Sequence, residues 1–342
     1  MTSITRPACG IKENTWHGFS AYVLENAYIR AEVVPALGGK IVSLLDLQTG
    51  REWCWRNADL APIRPRDDTP YLRNLGGWDE CFPSICETRF PCDPWKDILI
   101  PDHGEIWSLP WQARIAALNS HIEIATTVDG VQLPYSFERK IRITADAPTL
   151  SFSYSLRNRS DSAMPFVWSS HPTLVVSPGN RLLVPIEEVT LFGSLNEYFG
   201  EEGKRLSWPR VVDTKGKTWD FTVLPEAESA ISLKVFSLWK AASYAAIQDP
   251  ALNAELRFEF SAEEVTHIGL WLNFNGLTLV EGGSTFYCIG IEPCLGGSDD
   301  LSIAFSRSTT DYATVPPNGV KSWHLKVQLG PLSSANIQTP KG

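Results

Sequence analysis

The feature that most constrains this chain is a hydrophobic alternation with a period of two. In Thr149–Asn158, the side chains Leu150, Phe152, Tyr154 and Leu156 alternate with Ser151, Ser153, Ser155 and Arg157. Leu256, Phe258 and Phe260 alternate with Glu255, Arg257 and Glu259, and Trp323, Leu325, Val327 and Leu329 with Ser322, His324, Lys326 and Gln328. Successive side chains of a strand point to opposite faces, so each run predicts a strand with one buried and one wetter face. Further β-rich segments fall around residues 29–34, 41–45, 111–118, 122–128, 137–143, 165–168, 242–247, 268–272 and 286–291. Turn clusters such as Val128-Asp-Gly-Val131 and Pro178-Gly-Asn180 separate them. There is no sustained helical pattern, no Gly-rich phosphate loop after a strand and no fixed-period repeat. Length alone suggests two domains, but no linker or charge block divides the 342 residues. The expected fold is all-β, one large antiparallel sandwich spanning residues 1–342 with an elaborated face. The elaboration is the irregular stretch 56–102, and loops of that length inside a compact domain usually serve function.

Composition narrows the partners. Lys and Arg total 30 against 39 Asp and Glu, a formal net charge of −9, which argues against binding nucleic-acid backbones. A hydrophobic content of 43% excludes disorder and supplies a large core. The seven Cys contain no CxxC pair, and residues 1–16 hold no apolar leader segment. No apolar run approaches the ~18 residues that suggest a membrane span. These features predict a reducing, cytoplasmic setting with free thiols and no membrane partner. Cys81, Cys86 and Cys92 are spaced too loosely for a usual zinc knuckle, so ordinary thiols are expected there. Thirteen Trp against two Met give a rigid aromatic core and suit a polar, uncharged ligand.

The histidines sort by context. His121 and His324 fall on polar faces, His17 has no supporting pattern, and His267 begins a strand where an edge hydrogen bond suffices. His103 lies in Pro101-Asp-His-Gly-Glu-Ile-Trp107, where Asp102 and Glu105 can orient its ring and Gly104 admits a ligand or another backbone. His171 ends the apolar run from Pro165 and precedes Pro172, which places a proton donor at a strand end. Glu292 leaves the apolar strand Tyr287–Ile291 just before Pro293, and desolvation there is expected to raise its pKa and make it a general base. Arg73, Asp79 and Glu80, inside the long loop, bind sugar hydroxyls or satisfy the loop's own backbone.

Taken in order, Val34-Pro-Ala-Leu-Gly-Gly-Lys-Ile41, Gly76-Gly-Trp-Asp-Glu-Cys-Phe-Pro83, Asp102-His-Gly-Glu105, Trp168-Ser-Ser-His-Pro172, Gly290-Ile-Glu-Pro293 and Pro316-Pro-Asn-Gly319 form a pattern. It resembles the aldose 1-epimerase (galactose mutarotase-like) family over roughly residues 22–329. The resemblance implies a β-supersandwich with a sugar site on one concave sheet. It implies Glu292 as general base, His171 as general acid and His103 as a second sugar-contacting histidine. A sugar-contacting Arg and Asp are also implied, for which Arg73 and Asp249 are the nearest candidates, and Trp271 offers an indole face to a sugar ring. The family's usual Asn-Arg order reads Arg73-Asn74 here, which leaves the sugar open. The implied reaction is ring opening and reclosure of a free sugar, with no metal and no cofactor.

Other functions stay open. One is a non-catalytic carbohydrate-binding or sensing protein. Another is a hexose-phosphate mutarotase using Arg64, Arg66, Arg73 and Arg89, partly neutralised by Asp67, Asp68 and Glu87. A glycosidase usually needs paired carboxylates, and only Glu292 stands out. Oligomeric state has no signature in the sequence.

Overall fold

The computed structural model describes residues 9–57, 61–65, 69–118, 120–239, 244–278 and 283–332. Two antiparallel sheets dominate it. The larger has eleven strands in the spatial order Gly10–Trp16, Phe19–Glu25, Ile29–Val34, Lys40–Asp46, Gly77–Cys81, Trp168–Val175, Thr285–Leu295, His267–Thr278, Ile231–Leu238, Glu188–Ser194 and Arg205–Ser207. The smaller has eight, in the order Arg181–Leu183, Tyr244–Asp249, Ala254–Glu259, Val320–Gly330, Thr149–Asn158, Tyr135–Thr144, His121–Asp129 and Gln112–Ala117. The expected alternations occupy the smaller sheet, where Thr149–Asn158 pairs with Tyr135–Thr144 and Val320–Gly330. Its apolar face closes on the larger sheet: Phe152 stacks on Trp78 at 5.0 Å, and Trp323 meets Trp168 at 4.9 Å. One hydrophobic cluster runs from Leu24 to Leu329 through both sheets, so they share a single core.

The long irregular stretch holds an element that periodicity did not reveal. Gly77–Cys81 is a central strand of the larger sheet, buried along its whole length. A strand covered on both faces need not alternate, and its Asp79-Glu80 pair reads as loop sequence. The strand sends these two carboxylates to opposite sides. Glu80 enters the core, where Arg139 Nη1 donates to Oε1 at 3.0 Å, Tyr154 donates to Oε1 at 3.1 Å and Trp168 Nε1 donates to Oε2 at 3.0 Å. Glu80 therefore ties the sheets together and has no access to a sugar. Asp79 faces the other way.

Pro172 and Pro293 lie inside their strands, so His171 and Glu292 occupy strand interiors rather than ends. The one α-helix among the described residues, Leu301–Arg307, is capped by Asp300, whose carboxylate accepts from Ser302 and Ile303 amides. No helix among the described residues is long and apolar enough to cross a membrane.

Candidate active site

Strand register assembles the site. Asp79 pairs with His171, and Glu292 pairs with Gly269 on its far side. Ser169 pairs with Cys294 and Thr173 with Gly290, which brings Glu292 beside His171. Asp79, His171 and Glu292 thus form a row across three neighbouring strands, on the face turned away from the core. On the same face, Lys234 stands beside Trp271, whose other neighbour is Gly290.

Glu292 is wholly buried, yet its two oxygens differ. Oε2 lies 2.5 Å from Lys234 Nζ and accepts from Ser169 at 3.2 Å. Oε1 has no hydrogen-bond partner and lies 3.7 Å from His171 Nε2. Gly290 leaves room for this carboxylate, since a Cβ on it would come 2.7 Å from Oε1 and displace it. Lys234 Nζ also lies 3.4 Å from Asp299 Oδ1.

These neighbours set the protonation states. Burial is the largest influence and would raise the Glu292 carboxyl, but the Lys234 ammonium, with His171 and His103 adding to it, holds the pKa below the usual range. The expectation of a raised pKa is therefore overturned, and the cause is a cation 58 residues earlier in the chain. Burial pushes Asp299 up to about 6 despite Lys234. Burial pushes His171 down to about 3 against the pull of Glu292, so its imidazole is neutral at pH 7.

His171 is also held from its other nitrogen. Tyr71 Oη sits 3.1 Å from His171 Nδ1 and donates to Asp79 Oδ2 at 3.0 Å. Lys40 Nζ lies 3.1 Å from the same Oδ2 and donates to the Asn74 and Gly76 carbonyls. Burial raises Asp79, with Lys40 opposing. His103 stacks on the Tyr71 ring at 3.5 Å and meets the His171 ring edge-on at 5.1 Å. His103 Nδ1 is 2.9 Å from Asp102 Oδ1, and although burial works against it, His103 keeps that carboxyl below its usual value. The loop carrying His103 turns through left-handed backbone at His103 and Gly104. A Cβ on Gly104 would collide with the Phe82 carbonyl at 2.0 Å, so the room this glycine provides is for backbone, not ligand.

The structure brings together His103, His171, Glu292, Asp79 and Trp271. Trp271 packs with Phe286 at 6.0 Å beside the cluster containing Tyr71 and Trp107. It does not bring Asp249 to them. That residue ends a strand of the smaller sheet, pairs with Arg51 at 3.2 Å and caps a turn through the Ala251 and Leu252 amides. Arg73 lies exposed on the short 3₁₀ turn Tyr71–Asn74, outside the row. Of the phosphate cradle, Arg89 donates to the Asp97 carbonyl in a surface ribbon and Arg64 is exposed, while Arg66, Asp67 and Asp68 lie outside the described residues. Of the tryptophans near the motifs, Trp78, Trp111 and Trp168 belong to the core. His267 makes its edge contact, to Thr266 Oγ1 at 2.9 Å, and His324 is exposed beside Glu264.

Lys234, Lys40, Tyr71, Ser169 and Asp299 went unnoticed in the sequence. Lys234 carried a usable signal, as a lone cation within Ile231-Ser-Leu-Lys-Val-Phe236, a run that folds as a buried strand.

A two-sheet β-sandwich with this row on one face defines a fold class that comparison with solved structures makes specific. A putative aldose 1-epimerase from Klebsiella pneumoniae superposes with a TM-score of 0.68 at 14% identity, covering 95% of this chain and 84% of the other. A galactose mutarotase-like protein from Clostridium acetobutylicum gives 0.67 at 16% identity, covering 95% and 99%. A galactose mutarotase related enzyme from Lactobacillus acidophilus gives 0.65 at 12% identity, covering 92% and 98%. No family model matches the sequence, and no curated protein does. The fold is that of the galactose mutarotase-like proteins, as the motif order implied.

Proposed function

We propose that this chain is a mutarotase-like isomerase that interconverts the α and β anomers of a free sugar by acid–base ring opening and closure. The observation that carries the proposal is the buried, unpartnered Oε1 of Glu292 facing Nε2 of a neutral His171 across 3.7 Å. That separation is too long for a mutual hydrogen bond, so both atoms are free to act on a bound ligand. Glu292 Oε1 takes the proton of the anomeric hydroxyl as His171 Nε2–H gives one to the ring oxygen. The C1–O5 bond breaks, C1 becomes an aldehyde, rotation about C1–C2 exposes its other face, and both transfers reverse. His103 and Trp271 contact the sugar, and Asp79 acts through Tyr71. Seven free thiols suit a cytoplasmic setting.

The hydrogen-bond chain Asp79–Tyr71–His171 gives the acid its proton supply. In one arrangement Tyr71 donates to ionised Asp79 and accepts from Nδ1–H, which leaves Nε2 bare. In the other, Asp79 is protonated and donates to Tyr71, Tyr71 donates to Nδ1, and Nε2 carries the proton. Donation to the ring oxygen converts the second arrangement into the first, with Lys40 balancing the Asp79 charge. Tyr71→Phe breaks this chain and is expected to lower kcat about tenfold, the worth of one hydrogen bond of ~1.4 kcal/mol, with little change in KM.

A non-catalytic carbohydrate-binding role is favoured by one observation, the 2.5 Å Lys234–Glu292 pair, which weakens Glu292 as a base. NMR exchange between anomers, run over a panel of free sugars, separates the readings. Acceleration by the protein, lost in Glu292→Gln, supports the isomerase. Binding without acceleration transfers support to the second reading, and neither binding nor acceleration sinks both.

A further inference from the structure

A second recess lies on the same face of the larger sheet, on the far side of Lys40 and Asp79 from His171. Its volume is about 500 Å³, and its walls include Trp16, His17, Lys40, Arg56, Arg73 and Asn74. Among the described residues no carboxylate lines it, although the chain as a whole is acidic. Arg56 and Arg73 are exposed at its rim. Deeper in, Asn74 is only 7% exposed, and its Nδ2 has no hydrogen-bond partner. The Trp16 indole N–H is likewise buried and unpartnered. The Lys40 ammonium is fixed by Asp79 and two carbonyls, so it adds positive field while its stem forms wall.

We propose that this recess binds an oxyanion, the phosphate or carboxylate group of a small ligand. Two exposed guanidinium groups stand at the rim of one concavity whose walls carry two buried donors without an acceptor. Guanidinium forks meet the paired oxygens of phosphate or carboxylate directly. A neutral sugar would leave the charges unmatched, whereas a polyanion would need a broad basic surface that a net charge of −9 does not supply. Lys40 lies between the recess and the acid–base row, and occupancy of the recess does not depend on turnover.

Titration calorimetry of the full chain with inorganic phosphate tests the proposal, alongside the indole N–H resonance of Trp16. One saturable site is expected, with that resonance shifting on binding. Arg56→Ala and Arg73→Ala each weaken it tenfold or more, while Trp16→Phe and Asn74→Ala, which remove single donors, weaken it several-fold. A sugar phosphomonoester and its parent sugar form the comparison arms. A phosphomonoester bound tenfold more tightly than phosphate assigns the oxyanion to a sugar ligand, and equal affinity assigns it to a free anion. Absence of saturable binding by phosphate, by the phosphomonoester and by a sugar carboxylate overturns the proposal, as does unaltered affinity in both arginine variants. Because both arginines are exposed, their loss leaves the fold intact, and the readout is binding alone.

Discussion

Glu80 and Glu292 are two buried carboxylates of the larger sheet that each pair with a cation, and they differ in one respect. Both Glu80 oxygens are engaged, by Arg139 and Tyr154 on one side and Trp168 on the other. Glu292 has one oxygen saturated by Lys234 and Ser169 and the other empty. An unpaired buried acceptor costs about 1–3 kcal/mol unless a ligand or solvent meets it, and on Glu292 that acceptor faces the His171 ring. The core-facing carboxylate is structural because nothing is left over for a ligand. The other retains a lone pair aimed at His171.

The largest effect should come from breaking that asymmetry directly. Glu292→Gln keeps the shape of the side chain and removes the base, so anomer exchange should fall by about 10²–10⁴. Thermal unfolding of this variant should show a midpoint unchanged within a few degrees, because Lys234 retains Asp299 as partner. A variant that keeps full exchange activity would remove Glu292 from the mechanism.

Arg139→Met should invert the pattern. It leaves the Glu80 carboxyl in the core without its cation, so that Glu80 must stay charged unpaired or take up a proton, and loss of one partner from a buried pair costs about 3–5 kcal/mol. Replacing both partners with apolar residues should recover most of that loss. Urea unfolding of the single and double variants provides the measurement. If the double variant is as unstable as the single, the pair is not the element that holds the sheets together.

Lys234→Met sharpens the contrast through pH. With Lys234 in place, Glu292 is held below its usual range, so it stays ionised down to acidic pH. Without the ammonium, burial prevails and the Glu292 pKa rises. The acid limb of the kcat/KM profile should therefore move to higher pH, and a limb that does not move would mean that another group sets it.

The same contrast marks how far the sequence could be read. The smaller sheet was legible because its strands have one wet face, and the alternation Leu150, Phe152, Tyr154 follows directly. Gly77–Cys81 and Ile231–Leu238 were not, because burial on both sides erases the period. Glu292, His171 and His103 were legible as polar residues in unusual apolar or glycine contexts. Their electrostatics were not, because Lys234 and Tyr71 reach them from distant segments and local context is silent about the sign of a pKa shift. Asp249 misled for a related reason: its position between His171 and Glu292 in the chain does not place it on their sheet.

The smallest expected effect is on the pH dependence of stability, where the two regions oppose each other. The His171 pKa falls from 6.5 to about 3 on folding. Above 6.5 both states are neutral, and as pH drops the unfolded chain binds a proton that the folded chain refuses, so this contribution to stability is lost toward pH 3. The Glu80 pKa rises from 4.5 to about 7, so its contribution is complete below 4.5 and is lost as pH rises through 7. Between 4.5 and 6.5 the two slopes have opposite signs and nearly cancel, and the wild-type curve should be shallow there. Differences expose them. Relative to wild type, His171→Asn should gain stability as pH falls below 6.5, and Glu80→Gln as pH rises from 4.5 to 7, each by at most about 1.4 kcal/mol per pH unit. Denaturant midpoints across this range decide the matter, since parallel curves for wild type and His171→Asn would mean that the imidazole carries its proton in the folded state and cannot be the neutral partner that Glu292 faces.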